Sequence, residues 1–286
     1  KEDSKVILLS IFLLFSISLI SSLLLENKYE SSTILNTRDS TSNKNVLSQY
    51  SGIASMAGIS LPSSSNTDSI EIIEIIKSRE FIRYLINKHA ILPYLLAPGD
   101  YDERTKELTF SGDYDPKTNQ WTRGFFGNDT NTPTYLEGHK EYLNNIINIS
   151  EDELTGLVHI SIEHLSPVFA KDFLQMIISE ANNLKRNKDI EESTRALDYL
   201  KKELTRTSLI DIRESINMLI QNQLETQMLA RINDDYVLQI IEPPFIPNKH
   251  SFPSRMLIVV LGTLIGGILG ILLSLFRFFY TEEERR

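Results

Sequence analysis

Residues Pro243–Phe276 read PPFIPNKHSFPSRMLIVVLGTLIGGILGILLSLF, and this stretch decides the fold. Its second part, Met256–Phe276, carries no charge and at ~1.5 Å per residue is long enough to cross a hydrocarbon core as a helix. Its first part holds Pro243, Pro244, Pro247 and Pro253. Proline fixes φ and removes an N–H donor, so the backbone is expected to run extended and stiff up to Arg255 and to couple an outer domain to the bilayer. Inside the apolar run Gly262, Gly266 and Gly270 recur every four residues, with Gly267 beside them. Such a small-residue face lets another helix approach closely in lipid, either a second span of the same chain or a neighbouring subunit.

A second apolar run, Val6–Leu25, stands near the other end of the chain. It is longer than an ordinary signal-peptide core and ends in Leu23-Leu24-Leu25-Glu26 without a small-x-small cleavage signal, so a retained anchor is expected. The expected organisation is then a short terminus (1–5), a transmembrane helix (6–25), an outer domain (26–255), a second transmembrane helix (256–276) and a tail (277–286). Two spans place both short ends on one side. Lys1, Lys5, Arg277, Arg285 and Arg286 against Lys28, Arg38, Lys249 and Arg255 give a small bias toward cytoplasmic ends. A domain held at both ends suits a receptor, a scaffold or an assembly platform better than a diffusing enzyme.

The 286 residues leave room for one outer domain of ordinary size. A net charge of −9 without a basic stripe argues against a nucleic-acid partner. Cysteine is absent, which excludes disulfides, thiolate metal sites and a cysteine nucleophile.

Within the outer domain, Tyr29–Thr37 alternates as a strand with Tyr29, Ser31, Thr33 and Leu35 on one face. Asp39–Ser48 and Pro62–Asn66 read as loops around an apolar patch at Ile53–Leu61. Asp68 is placed to cap a helix continuing to about Lys88, because Ile70, Ile73, Ile76, Phe81, Leu85 and Ile86 recur at helical spacing. Pro93–Pro133, with four of the ten prolines, reads as an irregular excursion. A helix over Pro133–Ile147 and a strand over Thr155–Glu163 follow, and Ser166-Pro167 starts another helix. From Val168 to Glu242 there is neither glycine nor proline, while Leu174, Ile177, Ala181, Leu184, Leu197, Leu204, Ile216 and Leu224 keep a helical apolar stripe. Long helices are expected over 167–231, turning over near Thr205–Leu209 as a protruding hairpin, with a compact bundle as the alternative. Tyr236–Ile241 reads as a strand returning to the first two. The fold class is α+β: two transmembrane helices flanking an α/β base that carries a long helical hairpin.

Catalytic signals are poor. Gly58-Ile59-Ser60-Leu61-Pro62 misses the nucleophile-elbow pattern at its last position, and no phosphate-cradling glycine loop occurs. Asp113, Asp115 and Asn119 imitate part of a calcium loop, but Lys117, Thr118 and Gly124 stand where ligands, glycine and glutamate are required. The histidines are scattered, and His159 with His164 have the wrong pitch for one strand face. No catalytic residue, metal or cofactor is expected. Charged residues along the long helices, Arg195, Asp198, Arg206 and Arg213 among them, read as a solvated face that in a ring of subunits would form the contact between copies.

The order of these features resembles the Wzz chain-length determinants, the polysaccharide co-polymerases without a fused kinase. The residues that carry the resemblance are the strand from Tyr29, Thr155-Gly156-Leu157-Val158, Ser166-Pro167-x-x-Ala170, and above all Ile241-Glu242-Pro243-Pro244 through Pro247, Pro253, Ser254 and Arg255 into the glycines. Glu242 stands where aspartate is frequent in that family, and the excursion over 93–133 has no matching motif. The resemblance implies a multi-pass protein of the bacterial inner membrane with cytoplasmic ends and a periplasmic base. It further implies assembly as a closed ring of identical subunits, an octamer, and a role in setting the modal length of lipid-linked polysaccharide, typically O-antigen of lipopolysaccharide, made by a separate membrane polymerase. Related members carry a cytoplasmic tyrosine kinase, for which the residues after Phe276 leave no room, so no kinase activity is expected.

Three rivals stand beside this reading. The chain could serve another glycan (exopolysaccharide, capsule or enterobacterial common antigen), or be a periplasmic sensory receptor, for which the tail is short. It could also be a glycan-processing enzyme with Trp121, Tyr101 and Tyr114 as sugar platforms, which would lack a paired acid and base.

Overall fold

A computed structural model describes residues 2–37, 67–122, 132–152 and 154–283. The apolar patch at Ile53–Leu61, the incomplete elbow motif at Gly58–Pro62 and Gly124 lie outside the described residues. The chain divides into two compact units, one made of 1–30, 164–167 and 247–286 and the other of 31–163 and 168–246.

The first unit contains the two apolar helices, α1 (Glu2–Leu24) and the last helix of the chain (Arg255–Glu283). Among the described residues, one stretch is long and apolar enough to cross a membrane, Arg255–Leu273; Leu8–Leu24 is a shorter apolar helix. Large side chains such as Leu8, Leu9, Phe12, Met256, Leu264 and Ile268 face outward.

The second unit is built on a four-stranded sheet in which Ile147–Glu151, Leu157–His164, Tyr29–Thr37 and Leu238–Glu242 lie side by side in that order. Strand β1 spans Tyr29–Thr37 and buries Tyr29, Ser31, Thr33 and Leu35 on one face, as its alternation requires. Where one helix is expected over 68–88, there are two, α2 (Thr67–Lys77) and α3 (Arg79–His89). The apolar stripe runs through both, but Ser78 adopts extended backbone and its Oγ accepts from Phe81 N–H at 3.1 Å, an N-cap that restarts the helix. The excursion is more regular than its composition suggests. It holds α4 (Leu92–Leu96) and two small antiparallel hairpins, β2 (Pro98–Asp102) with β3 (Glu107–Phe110) and β4 (Tyr114–Asp115) with β5 (Gln120–Trp121).

The helix expected over 133–147 is shorter. Thr134 and Glu137 form a reciprocal capping box at the start of α5 (Tyr135–Glu141). One π-helical turn (Tyr142–Ile146) follows, and then β6 (Ile147–Glu151), which pairs antiparallel with β7 (Leu157–His164). The long apolar-striped stretch becomes α6 (Pro167–Arg206) and α7 (Ile210–Ile232), separated at 207–209, before β8 (Leu238–Glu242). Its two halves differ in burial: Ala170, Phe173, Leu174, Ile177 and Ala181 lie in the core with Ile72, Ile76, Phe81, Leu85, Val158, Ile160 and Ile162, whereas beyond Leu184 few positions of α6 are buried. α7 returns along α6, with Gln227 donating to Thr194 at 2.8 Å and Arg186 reaching the carbonyl of Asn233 at 2.9 Å.

One buried polar side chain places β8. Asn182 on α6 accepts from Val237 N–H and Leu238 N–H at 2.9 Å each and donates to Leu238 C=O at 3.1 Å, so a side-chain amide completes the backbone bonding where the strand begins. Two ion clusters brace α6 further. Glu180 receives Lys88 at 2.8 Å, Tyr84 at 2.7 Å and His89 at 2.9 Å. Lys185 bridges Glu71 at 3.0 Å and Asp189 at 3.1 Å, and Tyr236 donates to Asp189 at 2.9 Å.

Candidate functional site

The proline-rich segment and the helix pair are the features on which the sequence reading places function, and each has a definite construction. In the first unit α1 packs against α8 (Arg255–Glu283), and glycine makes the contact. A Cβ at Gly262 would meet Ser18 Oγ and come within 2.6 Å of Ser18 Cβ; at Gly266 it would lie 3.1 Å from Ile11 Cα and 3.2 Å from Leu14 Cβ. Ser10 Oγ donates to the Gly266 carbonyl at 3.1 Å. Gly270 is buried, whereas a Cβ at Gly267 would meet nothing within 4 Å. The alternate small residues therefore have different tasks, and two serines of α1 that carry no signal in the sequence supply the opposite surface.

Just outside the helices the two strands of chain are clasped. Lys28 and Phe252 form an isolated antiparallel bridge, with Lys28 N–H donating to Phe252 C=O at 2.9 Å and Ser251 N–H to Lys28 C=O at 2.8 Å. Arg255 donates to Asn27 Oδ1 at 3.0 Å, and Pro247 and Pro253 are buried. The Phe252–Pro253 peptide is cis.

In the second unit the strap begins where β8 ends. Strands β1 and β8 pair from Thr37↔Leu238 to Ile34↔Glu242, with a bulge between Ile34 and Leu35. Pro243 and Pro244 then have no N–H to continue the ladder. Two buried hydroxyls of β1 take over: Thr33 Oγ1 donates to Glu242 C=O at 2.6 Å and Ser31 Oγ to Phe245 C=O at 2.8 Å. A strap that opens with two residues lacking N–H donors is thus held by side chains that satisfy its carbonyls.

The charged residues read as an assembly face are exposed on α6 and α7. Arg195 pairs with Glu191 one turn away at 2.6 Å and Arg206 approaches Glu203 at 3.9 Å, while Asp198 and Arg213 lie on the solvated surface. Burial works against the Glu180 carboxylate, but the bonds from Lys88, Tyr84 and His89 outweigh it and hold the carboxyl below its ordinary range. The bonds from Lys188 and Lys185 do the same for Glu71. Both groups are paired within the second unit, Glu180 with Lys88 and His89 and Glu71 with Lys185 and Lys188. Among the described residues no cluster of three or more His, Asp or Glu is arranged to hold a metal ion.

No family model matches the sequence, and no curated protein matches it. Among solved structures the chain is similar to a full-length bacterial polysaccharide co-polymerase, at 12% identity over 97% of this chain and 94% of that one, with a TM-score of 0.36. It is also similar to a fragment of WzzB, a polysaccharide co-polymerase from Salmonella Typhimurium, at 12% identity over 79% of this chain and 100% of that one, with a TM-score of 0.30.

Proposed function

We propose that this chain is a non-enzymatic polysaccharide co-polymerase of the bacterial inner membrane, spanning it twice through α1 and α8 with its base in the periplasm. Identical subunits close into a ring, and the ring sets the modal chain length of lipid-linked O-antigen made by a separate polymerase. The observation that carries the reading is the clasp: Lys28 with Phe252, and Asn27 with Arg255, join the two ends of the outer domain just before two apolar helices that pack through Gly262 and Gly266. A domain held in this way transmits its geometry to partners in the bilayer. Outward-facing Leu8, Phe12, Leu264 and Ile268 support burial of both helices in lipid, since such a surface would be costly in water. The spaced prolines running into Arg255, in the order the co-polymerase family shows, support the assignment of the glycan task.

A gel ladder of lipopolysaccharide from cells with the gene deleted and then restored tests it. Loss of the modal cluster on deletion, with recovery on complementation, is expected. An unchanged ladder rejects the O-antigen assignment; altered exported polysaccharide in the same cells would move the role to exopolysaccharide, capsule or enterobacterial common antigen.

A further inference from the structure

A cleft of about 450 Å³ lies within the second unit, between the end of α3 with α4 and the β4–β5 hairpin of the excursion. Its lining is apolar at Ile86 and Leu92, aromatic at Tyr114 and Trp121, and polar at Asn119, Gln120 and Thr132. The size is that of a small-ligand site, and the combination is selective. A purely apolar ligand would take water from the polar lining without replacing it, and a strongly hydrated one would gain little from the rings. A pyranose ring offers both halves of the match, a face of C–H groups for an aromatic surface and a rim of hydroxyls for amide donors and acceptors.

The hairpin that presents these groups is held in place before any ligand arrives. Asp115 accepts from Lys117 N–H and Thr118 Oγ1, both at 2.9 Å, which fixes the turn. Asn119 takes a left-handed φ of 55° there, and its Oδ1 accepts from Tyr114 OH, which orients the amide. Behind Trp121 the rings continue in contact: Trp121 to Tyr114 at 5.1 Å, Tyr114 to Phe110 at 5.2 Å, Phe110 to Tyr94 at 5.1 Å and Tyr94 stacked on Phe169 at 4.7 Å. Phe169 stacks in turn on Phe173 in the core, so the platform is rooted on α6. A two-residue hairpin has little stability of its own, and this ring series ties it to the base.

We propose that this cleft is a binding subsite for a neutral glycan, with Trp121 and Tyr114 stacking on a pyranose and the Asn119 amide bonding its hydroxyls. The site stands on its own geometry; only the identity of the natural ligand as the growing polymer rests on the co-polymerase reading.

Trp121 is the single tryptophan of the chain, so its fluorescence reports the site directly. The full chain in detergent is titrated with maltohexaose and chitohexaose, and with hyaluronan hexasaccharide as an anionic counterpart. A saturable fluorescence change with at least one neutral sugar is expected. Saturation-transfer NMR on W121A should then show binding weakened about tenfold, with W121F close to the parent and Tyr199→Ala, an exposed aromatic elsewhere on α6, unchanged. No saturable signal with either neutral sugar up to roughly 10 mM, equal binding by W121A, or preference for hyaluronan overturns the proposal. Intact binding in a protein whose gene deletion changes neither the lipopolysaccharide ladder nor the exported polysaccharide overturns the co-polymerase reading and leaves the site. Absent binding in a protein whose deletion abolishes the modal cluster does the reverse.

Discussion

The terminal helix pair and the α6–α7 pair are both long helices running side by side, yet they are built on opposite principles. At Gly262 and Gly266 there is no room for a Cβ, and backbone meets backbone through Ser10, Ile11 and Leu14. Along α6 and α7 the contact is made by long side chains, Gln227 with Thr194 and Arg186 with Asn233, around the few buried residues Leu197, Ile216 and Ala230. In water, apolar side chains drive helices together and spacing adjusts to their size. On the proposed reading the first pair lies in lipid, where that drive is absent and close approach and dispersion must supply it. The difference teaches that size is the sensitive variable in the first pair and polarity in the second.

The largest expected effect follows from size. Gly262→Leu or Gly266→Leu should separate α1 from α8 and, on the co-polymerase reading, broaden or shift the product lengths, while Gly267→Leu, facing open space, should leave the helix pair and the ladder as they were. Cross-linking between cysteines introduced on the two helices checks the separation directly; three equal outcomes would remove the distinction between the glycines. Next come the hydroxyls of β1. Ser31→Ala and Thr33→Val leave the carbonyls of Phe245 and Glu242 without their donors, and each should cost about 1–3 kcal/mol in denaturant unfolding.

The third effect depends on pH. A carboxyl held below its ordinary range contributes stability above the unfolded value and loses it as pH falls through the folded one. Glu180 should therefore stabilise the base at neutral pH, begin to lose that contribution as pH falls below the ordinary glutamate value of roughly 4.3, and lose it fully only below its lowered folded value. Glu180→Gln should lower the melting temperature at pH 7 and flatten the acid limb of its pH profile; an unchanged limb would show that the cluster with Lys88 and His89 has no net worth. The smallest effect belongs to Arg195. Its exposed bond to Glu191 is worth at most about 0.5 kcal/mol, so Arg195→Ala should leave subunit stability within error. Any clear change in oligomer size by that variant would then locate the contact between copies on this face.

Much of the fold is legible in the sequence where one periodicity acts alone. The alternation of Tyr29, Ser31, Thr33 and Leu35 marks the buried face of β1, and the glycine- and proline-free stretch with its stripe marks α6 and α7. Legibility fails where two signals overlap. The stripe from Ile70 to Ile86 hides Ser78, whose cap divides the helix. The helical run after Pro133 masks β6, although Ile147, Ile149 and Glu151 already alternate. In the excursion, turn residues outnumber the two-residue strands they connect, so composition reports the turns and misses the hairpins. Of the candidate site, the glycines and prolines are visible because their chemistry is distinctive. Ser18, Ser31, Thr33 and Asn182 are not, since a short polar residue shows its task only when the group it satisfies is known.

The Lys28–Phe252 clasp has a consequence for a chain that contains no cysteine. Everything between those residues is one loop, and as long as α1 and α8 stay together that loop is closed even when the base has come apart. A covalent cross-link at the same place would restrict the disordered chain by on the order of 5 kcal/mol through lost loop entropy. The paired helices supply the same restraint without a bond. For as long as they stay paired, they act as a reversible staple on the chain between them.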